Sequence, residues 1–103
     1  MITVTFHHDN RELCLEVKGH AGYAEHGKDI VCSSASILAY SLASIVEEFG
    51  TDPYINLESG NTTIRCVCID DPKMDVIRDA FKYAHVGYEL LEHSYPQYVR
   101  LEP

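Results

Sequence analysis

Two side chains able to carry out acyl-transfer chemistry flank a glycine-rich stretch near the N-terminus, GHAGYAEHGKDIVCSSAS, which spans residues 19–36. Cys32 supplies a thiol and His20, twelve residues earlier, supplies an imidazole. A thiolate attacks carbonyl carbon, and an imidazole can take the thiol proton and return it to a leaving amine. The two residue types therefore suit nucleophilic catalysis by a thiol with an imidazole base. The plainer interpretation of Cys32 is a small buried residue, because cysteine is among the most buried residue types.

Asp29 is predicted to cap the helix whose first turn holds Cys32. Free amides and the helix dipole in that turn favour a thiolate over a thiol. The backbone amides of the turn, including that of Cys32, are expected to receive the oxyanion that develops during attack. Asp29 is expected mainly to cap the helix and anchor the preceding loop, and orientation of His20 is the alternative role.

The loop between the two reactive residues is rich in glycine. Gly19, Gly22 and Gly27 would let it move as a lid over a bound substrate. Ordinary turns use glycine for the same backbone freedom, so the lid is one of two interpretations. By position alone, Gly19, Gly22 and Tyr23 are candidate substrate contacts.

The elements that must position these residues follow from alternating and helical patterns of apolar residues. Strands are predicted at residues 2–7, 13–18, 54–58, 62–69 and 97–101, and long helices at residues 30–49 and from about 71 to 96. The order β-β-α-β-β-α-β predicts an α+β fold, an α/β sandwich in which a mostly antiparallel sheet packs against two long helices. The 103 residues are expected to form a single domain, residues 1–103.

The formal charge of -8, from 8 basic and 16 acidic residues, argues against direct binding of nucleic acid. It is compatible with a basic partner, but taken alone the charge is better explained by an acidic surface that keeps the protein soluble. The N-terminal residues lack the pattern of a signal peptide. Residues 30–46 carry no charge, but their serines and apolar residues fall on opposite helix faces, which favours a core helix over a membrane span.

The four cysteines are interpreted as free thiols in a reducing cytoplasm, because a chain of this apolar content does not need disulfides. Cys66 and Cys68 share one strand face, which favours packing well ahead of metal binding. No metal or cofactor is therefore expected.

The motifs around Cys32 match a known pattern. The run Gly19-His20-Ala21, together with Gly27 and residues 29–32 followed by small residues, resembles the ribosomal-processing cysteine protease family, Prp. The order of elements agrees along essentially the whole chain. The family more often has alanines after the cysteine, where this chain has two serines, a departure that leaves the nucleophile and base in place.

The resemblance implies a bacterial cysteine endopeptidase that removes a short N-terminal extension from protein twenty-seven of the large ribosomal subunit. It implies that His20 and Cys32 are the catalytic pair and that the protein is a homodimer. The ribosomal substrate is strongly basic, which fits the acidic charge of this chain.

Two alternatives remain open on the residues alone. Cys32 could sense oxidants, since an accessible thiolate serves that role too. A second thiol within disulfide distance would favour sensing. The chain could also be a ribosome-associated binding module without turnover. Whether His20 can reach Cys32 with substrate bound separates this alternative from an enzyme.

Overall fold

Five strands and two helices follow one another in the order that the sequence predicts. The computed structural model describes residues 1–103. The elements are β1 (Ile2–His8), β2 (Glu12–Lys18), α1 (Ile30–Phe49), β3 (Thr51–Glu58), β4 (Asn61–Val67), α2 (Lys73–Ser94) and β5 (Val99–Leu101). The predicted α+β fold, with two long helices against a mostly antiparallel sheet, is confirmed.

The sheet has the strand order β3-β4-β2-β1-β5. Its neighbouring strands are antiparallel except β1 and β5, which run parallel. Val17 on β2 lies opposite Val4 on one side and Thr62 on the other. Because side chains alternate along a strand, these residues share one face of the sheet with Leu15 and Ile64. These apolar side chains belong to the buried core, and the helices pack on that face.

The two helices bury one stripe each. The buried residues of α1 are Val31, Ala35, Ala39, Leu42, Ala43 and Val46, and those of α2 are Met74, Ile77, Phe81, Ala84, Tyr88 and Leu91. By length and composition alone α1 could cross a membrane. Its apolar stripe instead lies within the core, as expected for an amphipathic core helix.

Two contacts fix α1 against α2. The buried hydroxyl of Tyr88 donates a hydrogen bond of 2.8 Å to the carbonyl oxygen of Ala35. Burial raises the pKa of that hydroxyl, so it stays protonated and able to donate. Gly87 lets the helices approach closely, because a Cβ there would lie 2.6 Å from Leu38 Cδ2. The N-terminal half of α1, which carries Cys32, is thereby held on a rigid support.

Several element ends differ from the sequence expectation. β3 begins at Thr51 rather than at residue 54, because the chain passes Asp52 and Pro53 through an irregularity in the strand. Asp52 adopts a left-handed backbone there, with φ 47°. β5 has only three residues, because Tyr98 still donates its amide to Tyr95 in the preceding turn.

Candidate active site

An open cleft of about 730 Å³ lies where the end of β2, the start of α1 and the β3–β4 hairpin meet. β2 ends at Lys18 and α1 begins at Ile30, so residues 19–29 form the loop that connects these two elements at the cleft. His20 and Cys32 both line this cleft. The fold therefore brings the two candidate catalytic side chains to one site.

The other candidate residues of the loop are placed differently from one another. Gly19, Gly22, Gly27 and Asp29 line the cleft. Tyr23 is not among the residues that line the cleft. No group of three or more His, Cys, Asp or Glu side chains is arranged to hold a metal ion.

Cys32 lies in the first turn of α1 and is partly buried. Its Sγ accepts a hydrogen bond of 3.4 Å from the backbone amide of Ala21. Small residues of the same helix, Ala35 and Ala39, line the cleft beside it and leave the sulfur open to a ligand. This hydrogen bond holds the sulfur at the cleft.

Asp29 is buried and binds four backbone amides. Its Oδ1 accepts from Val31 (3.0 Å) and Cys32 (2.9 Å), and its Oδ2 accepts from Tyr23 (2.9 Å) and Ala24 (3.3 Å). Burial alone would raise the pKa of this carboxyl, but the four amides more than offset it and hold the pKa below its usual value. One carboxylate thus caps α1 and anchors the loop, and none of its hydrogen bonds goes to His20.

This cap corrects one expectation from the sequence. The amide of Cys32 was expected to receive the developing oxyanion, but it already donates to Asp29. The first turn of α1 is therefore engaged in capping. The amide of Gly22, which lines the cleft, donates no hydrogen bond in the structure.

His20 is exposed, and its ring lies against the tip of the β3–β4 hairpin. A Cβ built on Gly60 would lie only 2.6 Å from His20 Nε2. No hydrogen bond joins His20 to Cys32 in the structure. Catalytic hydrogen bonds are often long or unformed until substrate is bound, so this arrangement leaves the proposed pair intact as a hypothesis.

The loop has a second attachment besides Asp29. The ring of Tyr23 packs edge-on against Tyr95 and Tyr98, with ring centroids 5.5 Å and 5.1 Å apart. These tyrosines lie between α2 and β5, at the far end of the sequence. The glycine-rich segment is therefore anchored at both Asp29 and Tyr23, and Tyr23 acts as an anchor rather than as part of the cleft wall.

Tyr23→Ala should loosen this loop without unfolding the domain. Each aromatic pair contributes about 0.5–1.5 kcal/mol beyond burial, so the loss of two pairs favours local opening. We expect faster hydrogen exchange at the amides of residues 20–28, with the helices unaffected. Tyr23→Phe keeps both ring contacts and should exchange like the wild type. Equal exchange in Tyr23→Ala and the wild type would show that the aromatic contacts do not hold the loop.

The other thiols are remote from Cys32. Cys66 lies in the end of β4 that pairs with the start of β2, and Cys68 directly follows that strand, whereas Cys32 lies beyond the opposite end of β2. Burial, with Cys68 close by, raises the pKa of Cys66 to about 11, and burial is also the main cause of the raised pKa of Cys14. No second thiol lines the cleft, which weighs against a disulfide-forming sensor.

The β3–β4 hairpin forms a wall of the cleft that the sequence did not reveal. Leu57, Glu58, Ser59 and Gly60 all line it. The sequence identifies this turn, but the contact with the loop depends on β4 pairing with β2, which brings Gly60 beside Gly19. No local pattern carries that information.

Comparison with known proteins places the chain in a family. The family model for cysteine protease Prp matches residues 1–100. The ribosomal processing cysteine protease Prp of Bacillus subtilis is 30% identical over 56 residues, which cover 53% of this chain and 50% of that protein. The matched segment thus spans half the length of this curated relative.

Solved structures agree over almost the whole length. The crystal structure of S. aureus Prp, an essential ribosomal processing protease, with a covalently linked product peptide has a TM-score of 0.82 and 26% identity, covering 99% of this chain and 98% of that one. The complex of S. aureus Prp with a substrate peptide has a TM-score of 0.75, with the same identity and coverage. The chain belongs to the cysteine protease Prp family of hydrolases.

Proposed function

We propose that this protein is a cysteine endopeptidase that removes the N-terminal extension of protein twenty-seven of the large ribosomal subunit in the bacterial cytoplasm. The observation that carries the proposal is the convergence of Cys32 and His20 on one open cleft. The S. aureus relative, a ribosomal processing protease with a product peptide covalently linked to it, supports the same chemistry.

In the proposed mechanism, His20 takes the proton from Cys32 Sγ, and the thiolate attacks the scissile carbonyl carbon. The tetrahedral intermediate collapses to a thioester, and protonated His20 gives its proton to the departing amine. His20 then takes a proton from water, which hydrolyses the thioester and restores the thiol. With the Cys32 amide occupied, the unpartnered amide of Gly22 is the donor assigned to the oxyanion.

The charge of the chain supports a basic protein substrate and no direct contact with nucleic acid. The formal charge is -8, and Glu58 lies in the wall of the cleft. Opposite charge speeds the encounter of partners over a distance set by ionic strength. A basic ribosomal protein would therefore be drawn toward this surface.

The direct test is incubation of the protein with the full-length precursor of the ribosomal protein, followed by mass spectrometry of the products. We expect a single cleavage that releases the N-terminal extension. An intact precursor after prolonged incubation with reduced, folded protein would favour the binding-module alternative.

We also propose that the protein is a homodimer that pairs through the outer face of its helices. Val76, Tyr83 and Leu90 on α2 recur every seven residues, as Ile30 and Ile37 do on α1. Residues seven apart lie on one helix face. All five are exposed, with Tyr83 79% and Leu90 63% accessible. Such a stripe of apolar side chains is typical of a surface that another chain covers.

The combined substitutions Tyr83→Lys and Leu90→Lys should convert a dimer into a monomer, because two unpaired charges would enter the proposed contact. Light scattering coupled to size exclusion measures the mass directly. Tyr54→Lys, an equally drastic change of an exposed tyrosine on the sheet, is the matched control and should stay dimeric. A wild-type protein of single-chain mass at micromolar concentration would contradict the dimer.

A further inference from the structure

We propose that Gly60 is a positioning residue for His20: the missing side chain at the tip of the β3–β4 hairpin leaves the space in which the imidazole ring lies. The proposal rests on the proposed function only in so far as His20 is the base. The contact itself is a property of the fold and can be tested without substrate.

The first observation is the closeness of the ring to the hairpin. An ideal Cβ on Gly60 would meet Nε2 of His20 at 2.6 Å, Cε1 at 3.0 Å and Cδ2 at 3.3 Å. These three atoms form the distal end of the imidazole, so this end of the ring lies directly against Gly60. A separation below 3.0 Å is one that real Cβ atoms essentially never show. Any side chain at position 60 therefore displaces the ring or the hairpin.

A second observation ties the same hairpin to the backbone of the base. The amide of Gly19 donates a hydrogen bond of 2.9 Å to the carbonyl oxygen of Gly60. The hairpin thus holds the residue before His20 by its backbone and the ring of His20 by contact. No side-chain hydrogen bond holds the ring, and the hairpin lies in direct contact with it.

The hairpin also faces the substrate site. Leu57, Glu58 and Ser59, which precede Gly60, line the same cleft as Cys32. A peptide seated there lies beside the element that sets the position of the base. Gly60 consequently helps to position the catalytic base, although it has no side chain that takes part in the reaction.

The effect of a steric clash with His20 and the effect of backbone strain at position 60 can be tested separately. Gly60 has φ +74°, which alanine adopts only at a cost, whereas asparagine tolerates it. Gly60→Asn therefore introduces the clash with little strain, and Gly60→Ala introduces both. Asn61→Ala is the matched control in the same hairpin, because it removes the 3.1 Å hydrogen bond from Lys18 Nζ without touching His20.

The experiment records ring nitrogen and proton resonances of His20 through a pH titration, together with kcat, KM and the pH profile of kcat/KM. In Gly60→Asn the ring resonances of His20 should shift. The value of kcat should fall on the order of 10–100-fold, with kcat/KM falling in parallel, as for a misplaced catalytic group. Asn61→Ala should reproduce the wild-type His20 resonances and pH profile.

Wild-type His20 resonances and an unchanged pH profile in folded Gly60→Asn would overturn the proposal. The nuclear Overhauser effect between His20 Hε1 and the Gly60 Hα protons, measured in the wild-type protein, tests the contact without any variant. Its absence would also overturn the proposal. Full activity of His20→Ala would instead refute the proposed function, while the resonance measurements would still report on the contact.

Discussion

Cys32→Ala should reduce cleavage of an extension-bearing peptide by at least about a thousandfold, because removal of a nucleophile leaves only binding and oxyanion contributions. The substitution removes a partly buried sulfur beside small residues and costs little packing. The initial cleavage rate, measured by chromatography of the peptide products, gives the effect. Cys68→Ala, which removes another partly buried thiol at the far end of the sheet, should cleave at the wild-type rate.

His20→Ala should reduce the cleavage rate by a similar factor, because the effects of removing single members of a catalytic unit are not additive. The side chain is exposed, so the variant should fold with wild-type stability. His8→Ala removes another exposed histidine and is the matched control. Cleavage by Cys32→Ala would show that the sulfur is not the nucleophile. Cleavage by His20→Ala at the wild-type rate would show that another group serves as the base.

Asp29→Ala should be the most destabilising single substitution in the loop. It leaves the amides of Val31, Cys32, Tyr23 and Ala24 without their acceptor. Loss of a helix cap costs about 1 kcal/mol, and each buried unpaired donor adds about 1–3 kcal/mol. We expect a loss of about 3 kcal/mol or more, measured by urea unfolding, and a fall in Tm of roughly 10–20 °C.

The matched control is Asp71, which lies just before Pro72, the N-cap residue of α2. Asp71 accepts one amide, that of Lys73 at 2.9 Å, at an exposed position. Asp71→Ala should therefore cost only about 1 kcal/mol. An equal cost for the two aspartates would show that the four hydrogen bonds of Asp29 do not cooperate in holding the loop.

The stabilising effect of Asp29 should depend on pH in a stated direction. Its pKa in the folded protein lies below the usual value because four amides bind the charged form. The stabilisation is thus fully present above the unfolded pKa of about 3.9 and is lost as pH falls through the folded value. The stability difference between wild type and Asp29→Ala should be constant near neutrality and shrink below about pH 4.

Much of the fold could be predicted from the sequence, because the patterns that indicate strands and helix ends each involve residues close together in the chain. Alternation marks the strands, and Asp29 and Gly50 bound α1 as predicted. The use of the Cys32 amide was predicted wrongly, because capping and oxyanion binding draw on the same free donors and Asp29 takes them. An aspartate directly before a helix can accept hydrogen bonds from the amides of the first turn. Its presence in the sequence therefore indicates that those amides are already used for capping.

The contacts that depend on strand pairing could not be predicted from the sequence. Tyr23 meets Tyr95 and Tyr98 only because β5 lies beside β1. Gly60 meets His20 only because β4 pairs with β2. Both contacts join residues far apart in sequence, and both decide how the loop and the base are held.

Detection of the covalent intermediate tests the central claim most directly. Wild-type protein is mixed with the extension peptide, and samples of the mixture are quenched in acid at successive times. Mass spectrometry then gives the intact mass of the protein, and proteolytic mapping locates any adduct. We expect a species heavier by the acyl portion of the extension, attached through a thioester to Cys32. Peptide cleavage that proceeds with no adduct at any time, and at an equal rate in Cys32→Ala, would contradict it.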